Sequence, residues 1–384
     1  MTEVIYMKFK RFLTLLLVLT FIVPVRVSAV DYNARSYILM EASTGLVVLE
    51  ENADEALPPA SVTKIMTLLL VMEAVAEGRI GWDDMVQTSE YAASMGGSQV
   101  FLEPGEQMSV SEMVKCVVVS SANDAAVALA EAVSGSEEAF VKRMNERASE
   151  LGMKNTTFLN TNGLDDDADG HVTSARDIAI MSRELITKHP QILDYSSIWM
   201  DTIRGGAFGL TNTNRLIRFY NGANGLKTGS TSKAKFCISA TAKRDGMQLI
   251  AVVMASPSRD DRNETAKKLL DYGFANYEIA DLTLKEPLEG MRVLGGVADT
   301  VPLTVGESSL VLEKGQAAKL THEIYLPENI SAPISRGDTV GKIDFLIDGE
   351  IISTVPITAS ENVEKIGYIG LFCRFIKKLL LVEM

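Results

Sequence analysis

Hydrophobic and polar positions change their spacing several times along the chain. An apolar run from Phe12 to Val25 follows Lys8, Lys10 and Arg11 and ends at the small residues Val27-Ser28-Ala29. That order of charged, apolar and small residues is the order of a secretory signal. The run is shorter than the ~20 residues a spanning helix needs, so a cleaved export signal over residues 1–29 is expected. Two β-like runs follow, Ser36 to Met40 and Leu46 to Leu49. Next, Pro58 and Pro59 suit the entry to a helix, and Ile65, Met66, Leu68, Leu69, Leu70, Val71 and Met72 leave that helix almost no polar face. It should be buried.

Residues 85–185 are largely helical by spacing: "SVSEMVKCVVV", "DAAVALAEAV", "EEAFVKRMNERASEL" and "TSARDIAIMSRELI" each place apolar residues three and four apart. Ser174 with Asp177 resembles a capping box. Strand texture then returns in "KFCISATAKR" and "MQLIAVVMAS", joined at Asp245-Gly246 as a hairpin, and "RNETAKKLLDYGFANY" reads as a closing helix. Strands at both ends of a helical middle predict one mixed sheet covered by helices, an α/β or α+β fold over residues 30–277. From Glu278 the texture is of short strands and turns, which predicts a small all-β domain over 278–360. The last segment, 361–384, gathers Leu371, Phe372, Phe375, Ile376, Leu379, Leu380 and Val382 on one helical face and Arg374, Lys377 and Lys378 on the other. It is too short to cross a bilayer and is expected to lie in a membrane interface, with its basic face toward anionic headgroups.

Composition narrows the function. The 384 residues are 47% hydrophobic and 23% charged, which suits a globular protein with a real core. A formal charge of −13 excludes a nucleic-acid partner. Cys116, Cys237 and Cys373 are odd in number and widely spaced, so they read as core-type free thiols. With His171, His189 and His322 the only histidines, no Cys/His cluster has metal-ligand spacing. No metal or other cofactor is expected. "DDDADG" sets Asp165, Asp167, Asp169 and Gly170 at EF-hand positions, but Arg176 falls where the bidentate acid belongs. We read an acidic surface loop there, and His171 as a packing and hydrogen-bonding residue.

Three short stretches carry serine and lysine chemistry. Ser61 and Lys64 are three apart at the mouth of the buried helix, so hydroxyl and amine share a face. A buried lysine is either paired with an acid or driven neutral, and a neutral amine beside a hydroxyl is a base beside a nucleophile. Alone, this spacing arises by chance in many helices. It is joined by Ser121 and Asn123 in "SSANDAA" and by Lys227, Thr228 and Gly229 in "GLKTGSTS". Three motifs in that order resemble the penicillin-binding protein and serine β-lactamase superfamily. Within it the chain is similar to the low-molecular-weight D-alanyl-D-alanine carboxypeptidases along nearly all of the mature length, with Ala122 where the family more often has Gly.

The resemblance implies that superfamily's α/β (α+β) transpeptidase fold with a helical subdomain, followed by the small all-β domain. It also implies that Ser61 attacks the carbonyl between two terminal D-alanines of a peptidoglycan stem peptide. Lys64 would be the base, Ser121 the proton relay, and Asn123 the holder of the substrate amide. Lys227 would keep the site positive, and the amides of Ser61 and Ser230 would form the oxyanion hole. Arg262 and Arg215, with Thr228, are the candidates for reading the terminal carboxylate. β-Lactams should acylate Ser61. Class A β-lactamases deacylate with a loop glutamate four residues ahead of an asparagine. Here the residues four before Asn145, Asn155, Asn160 and Asn162 are Val141, Leu151, Thr156 and Phe158, so penicillin should trap Ser61. A transpeptidase, or an idle wall-binding or sensor module, are the competing readings. Intact Ser61, Lys64, Ser121 and Lys227 argue against the idle module.

Overall fold

The computed structural model describes residues 32–379 apart from 165–168, 285 and 307–308. The expected export signal over 1–29 and most of the acidic "DDDADG" run therefore lie outside the described residues. By its internal contacts the chain divides after Tyr32, and the unit from Asn33 onward is the one described below.

Strands β1 (Ser36–Glu41) and β2 (Val47–Glu51) are followed by a 3₁₀ turn, Ala60–Thr63, that runs directly into helix α1 (Lys64–Ala76). Helices α2 (Val110–Lys115), α3 (Asn123–Ser134), α4 (Glu137–Glu150) and α5 (Ala175–Lys188) make up most of the middle. Strands β3 (Ala223–Thr231), β4 (Lys235–Arg244) and β5 (Met247–Ser256) then lead to α6 (Arg259–Asn276). The five strands form one sheet in the order β2-β1-β5-β4-β3.

Every pairing in this sheet is antiparallel, where a mixed sheet was expected. Each of its sequential neighbours is joined by a hairpin, and β1 enters beside β5 in the opposite sense, so no crossover is needed. Asp245 and Gly246 both take positive φ, 48° and 83°, as a two-residue turn matched to strand twist requires. Both faces of β1 are covered. α6 packs on the Leu39 side, where Gly273 leaves room for the Leu39 and Leu249 side chains. Ile38 and Met40, on the other side, join the large core with α1, α3 and α5.

α1 is buried as its composition predicts, with residues from Lys64 through Met72 all inaccessible. Ser174 caps α5 by accepting from Asp177 N at 3.1 Å. Asp177 does not return the bond as a capping box would; its carboxylate instead accepts from Asn155 N and Thr156 Oγ1. The closing helix begins three residues earlier than the spacing suggested, because Ser258 caps it by accepting from Asp261 N at 3.0 Å.

Beyond α6 the strands are short and gather into smaller sheets. β6 (Tyr277–Asp281) pairs with β7 (Ser309–Glu313), while β8 (Thr321–Tyr325), β9 (Thr339–Ile347) and β10 (Glu350–Ala359) share a sheet. Their interior is two small apolar clusters around Val293, Val301 and Val363 and around Ile343, Phe345 and Ile357. Helix α7 (Tyr368–Leu379) follows. Ile369, Phe372, Phe375 and Leu379 on it are each more than half exposed. Arg374 turns inward, donating to Val297 O at 2.7 Å and pairing with Asp299 at 2.8 Å. So this basic residue, expected to face lipid, is held on the protein body. Cys116 and Cys237 are buried free thiols, but Cys373, expected in a core, is exposed on α7.

Candidate active site

The site forms where the 3₁₀ turn meets the free edge of the sheet. Side chains at i and i+3 eclipse in a 3₁₀ turn, and Ser61 Oγ lies 2.8 Å from Lys64 Nζ. β3 is the edge strand, and it approaches the turn closely at Gly229. A Cβ at Gly229 would stand 2.8 Å from Pro59 O and 2.9 Å from Ser61 N, so the approach requires glycine. Gly163 also approaches the turn closely. Its φ is 83° and a Cβ there would lie 1.9 Å from Ala60 O.

Lys64 is fully buried and has three partners. Its Nζ is 2.5 Å from Asn123 Oδ1 and 2.8 Å from Asn162 O, in addition to Ser61. Asn123 Nδ2 donates to Gly96 O at 2.7 Å, which fixes the amide so that Oδ1 faces the amine. A neutral amine has two N–H bonds and one lone pair. In that form the two acceptor-only carbonyl oxygens can take the N–H bonds, which would leave the lone pair for the Ser61 hydroxyl proton. Burial, and then the Lys227 charge, push Lys64 well below its ordinary value, against a smaller opposing pull from Asp124.

Ser121 is placed by a break in the helical middle. The apolar run after α2 does not continue as α-helix but forms one π turn, Cys116–Ser120, and Ser121 then takes a left-handed conformation with φ 62°. Such a conformation is costly for a residue with a Cβ and marks positions where a side chain must be aimed. Ser121 Oγ accepts from Lys227 Nζ at 2.8 Å. Lys227 is fully buried too, its other described acceptor being Thr228 O at 2.9 Å. Burial and then the nearby Arg262 charge bring its pKa down to about 7. At the start of α3, buried Asp124 accepts from Val100 N and Leu102 N and so anchors the loop that carries Ser98.

Between these parts opens a cleft of about 170 Å³ lined by Ser61, Ser98, Ser121, Thr213, Thr228, Gly229, Ser230, Arg259 and Arg262. Among the described residues no carboxylate lines it. Arg262 is 3% exposed and finds neutral acceptors, Asn263 Oδ1 and Cys237 O, with no ion pair among the described residues. Burial, then Arg259 and Arg215 charges, lower it to about 10. A buried guanidinium with open donors at a cleft without acids is a site for an anion. Thr228 Oγ1 donates to Thr213 Oγ1 at 2.8 Å beside it.

Of the residues singled out from the sequence, Ser61, Lys64, Ser121, Asn123, Lys227, Thr228, Gly229, Ser230 and Arg262 are brought to this one place. Arg215 does not line the cleft; it is exposed at the entry to the short helix Leu216–Phe219, near enough for its charge to act on Arg262, and Arg259 is in the lining. Arg259, Ser98, Thr213 and Asn162 were missed. The Ser258 cap places Arg259 one turn before Arg262, and reading that cap would have found it. The rest belong to loops whose sequence carries no spacing rule. His171 packs, as expected: Nδ1 accepts from Leu159 N at 3.0 Å, Nε2 lies 2.8 Å from Thr63 Oγ1, and the ring meets Phe158 edge-on. Asp169 is exposed and paired with Lys233, and Arg176 bonds Glu50 and Asp54.

Comparison with known proteins agrees with this geometry. Residues 23–258 match the model of the D-alanyl-D-alanine carboxypeptidase family, and residues 284–365 match that of the penicillin-binding protein 5 C-terminal domain. The chain is 45% identical over 350 residues to D-alanyl-D-alanine carboxypeptidase DacF of Bacillus subtilis (strain 168), covering 90% of this chain and 89% of that one. Penicillin-binding protein 5 from Haemophilus influenzae superposes with a TM-score of 0.75 at 33% identity, over 87% of this chain and 98% of that chain. Penicillin-binding protein D2 from Listeria monocytogenes, solved in an ampicillin-bound form, superposes with a TM-score of 0.56 at 33% identity, over 64% of this chain and 98% of that one. With its serine and lysine motifs assembled on this sheet and similarity along nine-tenths of its length, the chain belongs to the D-alanyl-D-alanine carboxypeptidase family.

Proposed function

We propose that the protein is a serine D-alanyl-D-alanine carboxypeptidase that trims the terminal D-alanine from peptidoglycan stem peptides. The carrying observation is the buried Lys64 amine, 2.8 Å from Ser61 Oγ, with both of its N–H bonds committed to carbonyl oxygens. Lys64 takes the hydroxyl proton as Ser61 Oγ bonds to the carbonyl carbon of the penultimate D-alanine. The developing oxyanion is met by the amides of Ser61 and Ser230. Collapse breaks the peptide bond. The Ser121 hydroxyl, held by Lys227, relays the proton from Lys64 to the leaving amine, so that Lys64 returns to the neutral amine and Ser121 to the hydroxyl. D-Alanine departs and an ester to Ser61 remains. Water then attacks that ester, releasing the shortened peptide as a carboxylic acid and restoring the Ser61 hydroxyl. Asn123 holds the substrate amide, and Arg262 and Thr228 hold the terminal carboxylate.

A β-lactam follows the first half of this path and stops at the ester, as an inhibitor. The protein is read as exported, acting in wall remodelling outside the cytoplasm and held at the membrane surface by α7. The open apolar side of α7 supports that placement, and no described helix is long and apolar enough to cross a membrane.

The test is release of D-alanine from diacyl-Lys-D-Ala-D-Ala by the purified protein beside Ser61→Ala. Release by the wild type alone is expected. Equal release by both, or by neither, would rule out a Ser61-dependent carboxypeptidase for this substrate.

A further inference from the structure

The Asn162 carbonyl that accepts a hydrogen bond from Lys64 sits in a segment, residues 159–164, without helix or strand. Something must hold it. Within the segment, Asn160 Oδ1 accepts from Gly163 N at 2.7 Å and Asn162 Oδ1 accepts from Leu164 N at 2.9 Å. These bonds shape the loop but do not fix its distance from α1. Thr161 does that. It is fully buried, its carbonyl accepts from Thr67 Oγ1 on α1 at 2.5 Å, and both its own donors go to one carboxylate oxygen. Thr161 N and Thr161 Oγ1 lie 2.9 Å and 2.7 Å from Glu137 Oε1.

Glu137 is itself held. It opens α4, where Ser136 caps the helix and the N-terminal dipole favours an acid. Tyr91 OH donates to its other oxygen at 2.6 Å. That bond to Glu137, and then burial, keep the Tyr91 proton in place by moving its pKa up to about 12. A chain of bonds thus runs from Tyr91 through Glu137, Thr161 and the Asn162 carbonyl to the Lys64 amine, and then to Ser61.

We propose that Glu137 is a positioning residue for the Lys64 base, acting through Thr161 and the Asn162 carbonyl without touching substrate. The proposal rests on the reading of Lys64 as the base for Ser61. Without the Glu137 carboxylate, two buried donors on Thr161 lose their acceptor. The loop can then satisfy them only by moving, which takes the Asn162 carbonyl away from Lys64. Nothing in this chain reaches Arg262 or Thr228, so carboxylate binding is left as it was.

The test compares Glu137→Ala, Glu137→Gln and Thr161→Val with wild type in D-alanine release and in labelling of Ser61 by fluorescent penicillin. Glutamine keeps an oxygen that can accept from both Thr161 donors; alanine keeps none. Glu137→Ala is expected to lower kcat and the labelling rate about ten- to a hundredfold with KM within about twofold, since small misplacements cost rate on this scale. Glu137→Gln should recover most of the loss, and Thr161→Val should fall between. Unchanged kcat in a folded Glu137→Ala would overturn the proposal, as would a loss in KM alone. Should that variant not fold, an unchanged Thr161→Val would overturn it equally. Wild type that neither releases D-alanine nor takes label would sink the acyl-enzyme reading, which is a different result.

Discussion

Asn123 Oδ1 stands 2.5 Å from the Lys64 amine, and its own Nδ2 is tied to Gly96 O. The amide therefore presents Lys64 with a neutral acceptor, where a carboxylate would hold the lysine charged. Asn123→Asp should do that: an acid at this distance raises a lysine pKa by about 1–3 units. Acylation of Ser61 at neutral pH should fall at least tenfold and recover partly in alkali. Rates of penicillin labelling across pH check this, and a profile superimposable on the wild type would count against Lys64 as the base.

Lys227 gives a stability signature. Its pKa is about 7 when folded and near its ordinary value of 10.5 when unfolded. Below about pH 7 both states carry the proton, and the folded state bears a buried ammonium. Between these values the unfolded chain binds the extra proton, so stability should rise with pH across that window. Lys64, also lowered, acts in the same direction. Urea unfolding of wild type and Lys227→Met at pH 7 and pH 10 should show wild type gaining relative to the variant. A difference constant with pH would contradict the assignment.

Arg262 is buried without an acidic partner among the described residues, so its contribution should depend on the charge of the substrate terminus. Charge-assisted hydrogen bonds contribute about 1.5–3 kcal/mol. Arg262→Gln should lower kcat/KM for a free-carboxylate peptide by roughly ten- to a hundredfold, and barely alter acylation by a ligand whose carboxylate is amidated. Equal losses for both ligands would assign Arg262 a structural role.

Phe372 and Phe375 are 65% and 62% exposed on α7, while Arg374 between them is fastened to Asp299. Burying a phenylalanine contributes about 1.5–3 kcal/mol. Phe372→Ser with Phe375→Ser should reduce binding to anionic lipid vesicles at least tenfold and leave D-alanine release in solution unchanged. Vesicle sedimentation reads the first effect, and undiminished sedimentation of the double variant would remove α7 as the anchor.

Local patterns determined much of this protein. The spacing after Pro59 announced a helix without a polar face, and that helix is buried from Lys64 to Met72. Asp245-Gly246 announced a hairpin that is present. The three short motifs announced their family. Each of these depends on neighbours a few residues apart, so one strand of text contains it. What the text did not contain depends on residues far apart in the chain. The sheet is antiparallel because β1 settles beside β5 some two hundred residues later. The run after α2 turns to π and leaves Ser121 left-handed, with its hydroxyl met by Lys227 from β3. Arg215 was singled out and Arg259 was not, yet the Ser258 cap with the packing of α6 sets Arg259 in the cleft lining. Above all, the lowered pKa of Lys64 is a property of burial and of a second lysine 163 positions away. Sequence named the groups; desolvation and long-range charge, which exist only once the chain has folded, decided their chemistry.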